Sequence, residues 1–193
     1  MKKRTFMNAS LLMLFMIIIS GCETTQVVTS NSTPATQAAE PIPFDELLDI
    51  GILPLDPNIP ADLETIKKEL IVPDVRRAES SYISYQLKDT LELTGNWGAV
   101  RVTPESSKSV DLELQGKILN SDGEMLKVLM RATDARGKVW FERTYEDRSS
   151  RFSYEKAKED PFQDLYNEMA NDLLETRGSL SREQLLQIKT VAN

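Results

Sequence analysis

The middle of the chain contains the pattern that most constrains its fold. Three stretches, 110–118, 124–133 and 138–146, alternate apolar and polar side chains with a period of two, which is typical of half-buried strands. Residues 120–123 (NSDG) and 134–137 (DARG) separate them, and both Gly and Asp tolerate the positive φ of hairpin turns. The sequence therefore predicts an antiparallel meander of three strands.

Alternation assigns one face of this meander to the core and the other to the outside. The inward face is predicted to carry Val110, Leu112, Leu114, Ile118, Leu126, Val128, Met130, Val139, Phe141 and Tyr145. The outward face then carries Trp140 and, on the neighbouring strand, Leu129 between Lys127 and Arg131. An apolar spot framed by charges is typical of a modest docking surface, and Trp is enriched where binding energy concentrates. Alternatively, residues 147–159 or the terminal helix cover Trp140 as ordinary core.

Helical and extended patterns flank the meander. Residues 49–56 (DIGILPLD) suit a buried strand closed by a proline-rich turn, and residues 99–103 alternate as a further short strand. Between them, residues 74–94 carry Ile83, Leu87 and Leu91 at helical spacing, and Gly95 follows as a stop signal. Trp97 is predicted to close the end of the core.

The C-terminal part predicts two helices with capping boxes. Asp160 is predicted to cap the first, with Pro161 at the first helical position and Gln163 completing the box. That helix ends near Gly178 and buries Leu165, Met169 and Leu173 against the sheet. A second capping box, Ser181 with Gln184, begins a short helix through about Thr190, and Leu180 packs on Leu185 as a hydrophobic staple.

The predicted order is one strand, a long helix, four strands and two helices. It indicates an α+β domain built as a two-layer sandwich, with a mostly antiparallel sheet and helices on one face. We expect a single domain over residues 41–193, because Pro41 and Pro43 follow a segment that lacks any apolar periodicity.

The N-terminus is typical of a bacterial lipoprotein signal. Lys2, Lys3 and Arg4 precede an apolar run that is shorter than the roughly 20 residues needed to span a bilayer. Residues 19–22 (ISGC) then read as a lipobox, so residues 1–21 are predicted to be a signal peptide and Cys22 to be lipidated with palmitate-type acyl chains. The alternative is a plain secretory peptide with an accidental cysteine.

Residues 22–40 are rich in Thr, Ser, Ala and Gln, a composition that predicts a lipidated, flexible tether. Residue 23 is Glu and not the aspartate associated with retention in the inner membrane. We therefore expect the mature protein on the periplasmic face of the outer membrane.

Composition excludes several classes of function. The chain of 193 residues has no His, and Cys22 is its only Cys, which excludes His-based catalysis, Cys–His pairs, zinc sites and structural disulfides. Residues 1–21 contain three basic side chains and no acid, so the rest of the chain has 20 basic and 30 acidic side chains, a net charge of −10. That charge argues against nucleic acid as a partner.

Carboxylates and basic side chains are the remaining candidates for a binding or catalytic site. Asp56, Asn58, Asp62 and Glu64 cluster like oxygen ligands for Ca²⁺, but their spacing fits no EF-hand, and solvated turn residues are the favoured interpretation. No pair of carboxylates stands out as a glycosidase pair. Basic residues of the segment 131–158 alternate with acids, as on a mixed solvated face. We expect no metal, no cofactor, no small-molecule substrate and no enzymatic activity.

Several short motifs resemble the periplasmic domains of LpoB, of the N-terminal part of TolB and of CsgG-like lipoproteins. The matching residues are 52–56 (ILPLD), 94–102 (TGNWGAVRV), 110–118 (VDLELQGKI) and 134–142 (DARGKVWFE). The resemblance implies a binding module of an envelope assembly. The leading interpretation is a lipid-anchored accessory or assembly factor that binds an envelope protein, and the alternative is a structural lipoprotein that self-associates.

Overall fold

The computed structural model describes residues 33–107, 109–149 and 160–192. The predicted signal peptide, Cys22 and the first part of the tether lie outside these residues. A 3-10 turn, Phe44–Glu46, precedes the first strand. The described elements are β1 (Ile50–Ile52), α1 (Leu63–Lys68), α2 (Pro73–Thr94), β2 (Val100–Val102), β3 (Leu112–Ser121), β4 (Met125–Asp134), β5 (Val139–Arg148), α3 (Gln163–Gly178) and α4 (Arg182–Ala192).

The five strands form one mixed sheet in the order β2-β1-β3-β4-β5. Strands β3, β4 and β5 pair antiparallel, which confirms the predicted meander. The short strand β1 pairs parallel with both β2 and β3. The α+β class is therefore confirmed, but the sheet is mixed rather than mostly antiparallel. The parallel part arises because α1 and α2 carry the chain back across the sheet between β1 and β2.

Both hairpin turns lie where the sequence predicts them. Gly123 and Gly137 adopt positive φ, 85° and 81°. In the first turn the Asp122 carboxylate accepts the backbone N–H groups of Glu124 and Met125. In the second the Asp134 carboxylate does the same for residues 136 and 138. The two aspartate side chains thus accept hydrogen bonds from backbone N–H groups that have no backbone acceptor within the tight turns.

Most of the predicted inward face is buried, and one strand departs from the prediction. Val110, Leu112, Leu114, Ile118, Leu126, Val128, Met130 and Tyr145 are buried. Val139 was predicted inward and is 36% exposed. Ala132 pairs with Phe141 whereas Thr133 pairs with Val139, so Trp140 is the extra residue of a β-bulge. The bulge shifts the alternation, and the prediction that Trp140 points outward is wrong, because Trp140 packs against the core.

Helix α2 confirms the predicted long helix and its glycine stop. Gly95 caps it with φ 67° and donates its N–H to the Glu92 carbonyl. Ser84 and Ser80 on the buried face donate to the carbonyls of Leu53 and Leu55, which ties the helix to the chain that leaves β1. Trp97 is 6% exposed within the core, as predicted.

The two predicted capping boxes have different outcomes. Helix α3 begins at Gln163, and Asp160 accepts the Phe162 N–H ahead of it while the Gln163 amide donates to Thr90 and Asn167. The capping box at Asp160 is therefore wrong, because Gln163 faces α2. The box at Ser181 is confirmed: Ser181 N–H donates to Gln184 Oε1 at 2.8 Å, and Gln184 N–H donates to Ser181 Oγ at 3.2 Å.

Helices α2 and α3 build one core with the sheet. Leu165, Met169 and Leu173 of α3 are at most 2% exposed and share this core with Leu87 and Leu91 of α2. The predicted burial of the C-terminal helix is confirmed. None of the described helices is long and apolar enough to cross a membrane.

The segment 34–38 belongs to the folded domain and is not part of a flexible tether. Ala38 N–H donates to the Thr94 carbonyl at 2.8 Å, and Asn96 Nδ2 donates to the Thr36 carbonyl at 2.7 Å. The Asn171 side chain bonds both the Thr36 N–H and the Pro34 carbonyl. The expected boundary at Pro41 is therefore too late. The amino-acid composition of the segment could not indicate this boundary, because the Asn96 and Asn171 side chains bind its backbone and not its side chains.

Candidate interaction surfaces

The outer face of β4 and β5 carries three of the four residues that the sequence assigned to a docking surface. Lys127, Leu129 and Arg131 lie there side by side, and we call them the sheet surface. Lys127 Nζ lies 2.9 Å from Glu146 Oε2, and Arg131 NH1 lies 3.3 Å from Glu142 Oε2. Both ion pairs are part-exposed, so solvent screens them and they add little to the stability of the domain. They frame the part-buried Leu129.

Trp140 lies apart from the sheet surface. Its indole N–H donates to Asp134 Oδ2 at 3.2 Å, and its ring is part-buried against the core. The structure thus separates the fourth residue of the sequence-based set from the other three. Sequence alternation could not show this, because regular alternation assumes an unbroken ladder and the register of β5 against β4 shifts at Trp140.

Asp134 organises the turn beneath Trp140. Its side chain is fully buried and also binds the Arg136 guanidinium, with Oδ2 2.7 Å from NH2. Burial by itself raises the pKa of Asp134, but the hydrogen bonds from Arg136, Lys138 and Trp140 outweigh burial and hold the pKa below its ordinary value. Asp134 is therefore a structural anion with its acceptors occupied.

Two further aspartates are also engaged within the fold. Asp111 Oδ2 accepts the Asp49 N–H at 2.7 Å and lies 3.8 Å from Lys189 Nζ. Burial raises the pKa of Asp111, and the hydrogen bond from Asp49 opposes that shift. Asp172 accepts the Tyr145 hydroxyl at 2.6 Å and pairs with Arg143. These contacts join strands to helices.

The residues considered for Ca²⁺ have local structural roles. Asp56 Oδ1 accepts the Asn58 N–H at 2.8 Å, and Asp62 Oδ1 accepts the Thr65 N–H at 2.7 Å as the cap of α1. The hydrogen bonds from Thr65 lower the pKa of Asp62. Among the described residues, no group of three or more His, Cys, Asp or Glu side chains is placed to hold a metal ion.

Helix α2 presents a second row of apolar side chains toward solvent. Val75, Tyr82 and Tyr85 are 53%, 51% and 54% exposed, and Ala78 lies exposed between them. Spacings of three, four and three residues place all four on one side of the helix, and we call them the helix surface. The sequence analysis above predicts only the buried row of α2. Apolar residues at helical spacing starting from Val75 are the sequence signal that indicates the helix surface.

The chain just before α2 adds strain and more exposed apolar area. Leu70 follows the end of α1 with φ 54°, in the left-handed position where helices usually place Gly. Leu70 N–H donates to the Lys67 carbonyl and Ile71 N–H to the Ile66 carbonyl, which is the hydrogen-bond pattern of a Schellman motif. Leu70 is nonetheless 85% exposed, so packing within the domain does not offset its strain.

Shallow grooves adjoin these surfaces. One groove has a volume of about 240 Å³ and lies where α2, β4 and α3 meet. Its lining includes Tyr82 and Ile83 of α2, Leu126 of β4 and Tyr166 of α3. The Tyr82 hydroxyl donates to Asp160 at this groove, and burial together with this carboxylate raises the pKa of Tyr82 to about 12. A larger groove of about 400 Å³ is lined by mainly polar residues, including Gln86, Thr90 and Asn167, next to the segment 34–38.

No protein-family model and no curated protein sequence matches the chain. Similar solved structures include the PelC dodecamer from Paraburkholderia phytofirmans, at 19% identity and a TM-score of 0.37 over 70% of this chain and 93% of that one. The hypothetical protein CT253 from Chlamydia trachomatis matches at 12% identity and a TM-score of 0.34, over 75% of this chain and 97% of that one. Likenesses this distant leave function to be argued from the chain itself.

Proposed function

We propose that the protein is a lipid-anchored, non-catalytic protein of the outer membrane that binds a protein partner in the envelope as an accessory or assembly factor. The anchor rests on the sequence, in which a short apolar run ends at the lipobox cysteine, Cys22. The binding role rests on one observation, the helix surface. Val75, Tyr82 and Tyr85 stay half exposed on a helix whose opposite face is filled by the core.

An exposed apolar row has a cost that a binding role explains. Each aromatic side chain buries about 150–250 Å² when it is covered, so two half-exposed Tyr residues represent a substantial unused contact area. Contiguous apolar patches on soluble domains mark interaction sites, and Tyr is among the residues enriched where interfaces concentrate binding energy.

The non-catalytic part of the proposal is supported by the carboxylates. Asp111, Asp134 and Asp172 each accept hydrogen bonds from partners within the fold. We further propose that α2 and α3 form one layer on a single face of the sheet, which leaves the sheet surface as a secondary contact area. The resemblance to LpoB, TolB and CsgG-like domains agrees with a binding module.

The anchor and the binding role are tested separately. Labelled palmitate should appear on the wild-type protein and not on Cys22→Ala, which should also leave the membrane fraction, because two acyl chains give stable anchoring. A photo-crosslinking residue placed at Tyr85 should capture a protein in cells, whereas the same residue at the exposed Val191 should not. Absence of label on Cys22, or equal capture at both positions, would contradict the corresponding half of the proposal.

Self-association is the second candidate function, and a specific observation favours it. The helix surface contains two small side chains followed by two large ones, a sequence that is complementary to itself when read in the opposite direction.

A further inference from the structure

We infer that the helix surface docks a second copy of this chain, with the two α2 helices side by side and antiparallel. The inference rests on the proposed function and names the partner at that surface. It starts from the arrangement of Val75, Ala78, Tyr82 and Tyr85 on the exposed side of α2. At 1.5 Å per residue the row is about 15 Å long, or almost three helical turns.

The order of the side chains selects an antiparallel second copy. When two such helices cross antiparallel about a two-fold axis near residue 80, Val75 of one copy lies opposite Tyr85 of the other. In the same register Ala78 lies opposite Tyr82. Each layer then joins a small and a large side chain, which is how facing helices fill space without voids. A parallel pairing would place Tyr against Tyr and leave a gap at Ala78.

Charge supports the same register. Asp74 and Lys88 flank the row on one side of α2, near its two ends. In the antiparallel register Asp74 of one copy lies beside Lys88 of the other, and symmetry repeats this opposite-charge contact. Within one copy both side chains are held at the surface, Asp74 by Arg77 and Lys88 by Glu92.

The area available predicts a weak dimer. The four side chains offer on the order of 400 Å² per copy, about half of what a standard stable interface buries on each partner. Leu70 and Val72, 85% and 57% exposed, lie immediately before the helix and extend the apolar surface. Tethering both copies to one membrane raises their effective concentration, which allows a weak contact to be occupied.

Disulfide cross-linking of the full chain in cells tests the contact and its direction. Because Cys22 is the only natural cysteine, engineered cysteines report specific contacts. Val75→Cys together with Tyr85→Cys should give a dimer band under mild oxidation, at least fivefold stronger than either single variant. Tyr85→Cys in combination with Val191→Cys is the matched control for random collision and should stay near the single variants.

A third substitution links the band to the helix surface. Ala78→Glu keeps a good helix former at an exposed position but places a charge in the middle of the row. Added to the double-cysteine chain, it should reduce the dimer band at least fivefold, whereas Val191→Glu, which places the same charge on an exposed residue of α4, should not.

The inference is overturned if the double-cysteine chain cross-links no more than the single variants, or if Ala78→Glu leaves the band unchanged. A band that contains another protein and no second copy also overturns it, but leaves the proposed partner-binding function intact. Palmitate labelling of the same samples shows independently whether the anchor is present.

Discussion

Helix α2 carries apolar side chains at helical spacing on two opposite faces, and only one of these faces is buried. Ile83, Leu87 and Leu91 are at most 3% exposed and pack in the core. On the other side, Tyr82 and Tyr85 remain half exposed. Burial explains the first row, since each covered aliphatic side chain stabilises the domain by about 1.5–3 kcal/mol. We propose that the second row serves association, and the predictions below separate the two roles.

The largest effect is expected on the buried face. Leu87→Ala should lower the free energy of unfolding by about 2–5 kcal/mol, because the fully buried side chain leaves a cavity. Leu165→Ala on α3 should behave in the same way. Denaturant unfolding followed by circular dichroism measures both. A Leu87→Ala chain with the wild-type midpoint would place α2 outside the core.

The next effect concerns Trp140, which the sequence placed on an outer docking surface. Because its ring packs on the core and its N–H binds Asp134, Trp140→Ala should destabilise the domain by about 2–3 kcal/mol. Trp140→Phe, which keeps one aromatic ring but loses the indole N–H and part of the packed surface, should cost less than Trp140→Ala, about 1–2 kcal/mol. If Trp140→Ala melts like the wild type, the inward placement of this side chain is wrong.

Asp134 should make stability depend on acid pH. Its pKa is lower in the folded chain than in the unfolded one, so it adds stability above the unfolded value near pH 4 and loses that contribution as pH falls through the folded pKa. Asp134→Asn should cost about 1–3 kcal/mol at neutral pH. It should also make the stability curve flatter below pH 4 than the wild-type curve. Parallel curves for the two chains would show that Asp134 titrates normally.

The raised pKa of Asp111 should act in the opposite direction. Burial disfavours its ionised form in the folded chain, so its contribution grows as pH falls through its raised folded pKa. Asp111→Asn should therefore make stability fall more steeply with acid than in the wild type, which makes it a matched control for Asp134→Asn.

The strand pattern was strong enough to predict the meander, both hairpin turns and most of the inward face. Local signals failed where distant contacts decide the structure. At the bulge, Trp140 donates its indole N–H to Asp134, six residues earlier in the chain. At the start of α3, the Gln163 side chain donates to Thr90 on α2 instead of capping its own helix. Helix α1 was missed because prolines surround it.

Of the two candidate surfaces, the sequence pattern predicted the sheet surface and did not predict the helix surface. Lys127, Leu129 and Arg131 share a face because strand alternation dictates it. The helix surface was not predicted, because the buried row of Ile83, Leu87 and Leu91 is by itself sufficient to predict an amphipathic helix. Leu70 gave no sequence signal, since its left-handed backbone contradicts the ordinary preference for Gly at that position.

The smallest effect on stability is expected at Leu70. Whether the free energy of unfolding rises or falls there distinguishes backbone strain from packing within the domain. Leu70→Gly should raise the free energy of unfolding by up to about 1 kcal/mol, because Gly accepts a positive φ without strain. The same change removes an 85% exposed apolar side chain next to the helix surface and should weaken association. Thermal unfolding and cross-linking of one preparation measure both. A loss of stability would mean that Leu70 packs within the domain.

The most direct test of the central claim compares wild type with Ala78→Glu by sedimentation equilibrium of the full chain, purified from cells in density-matched detergent. The wild-type weight-average protein mass should rise with concentration toward twice that of one chain. Ala78→Glu should remain monomeric over the same range, with a free energy of unfolding unchanged within about 0.5 kcal/mol. A wild-type mass that stays monomeric, or an Ala78→Glu mass that rises equally, would contradict the assignment of the exposed face of α2 to self-association.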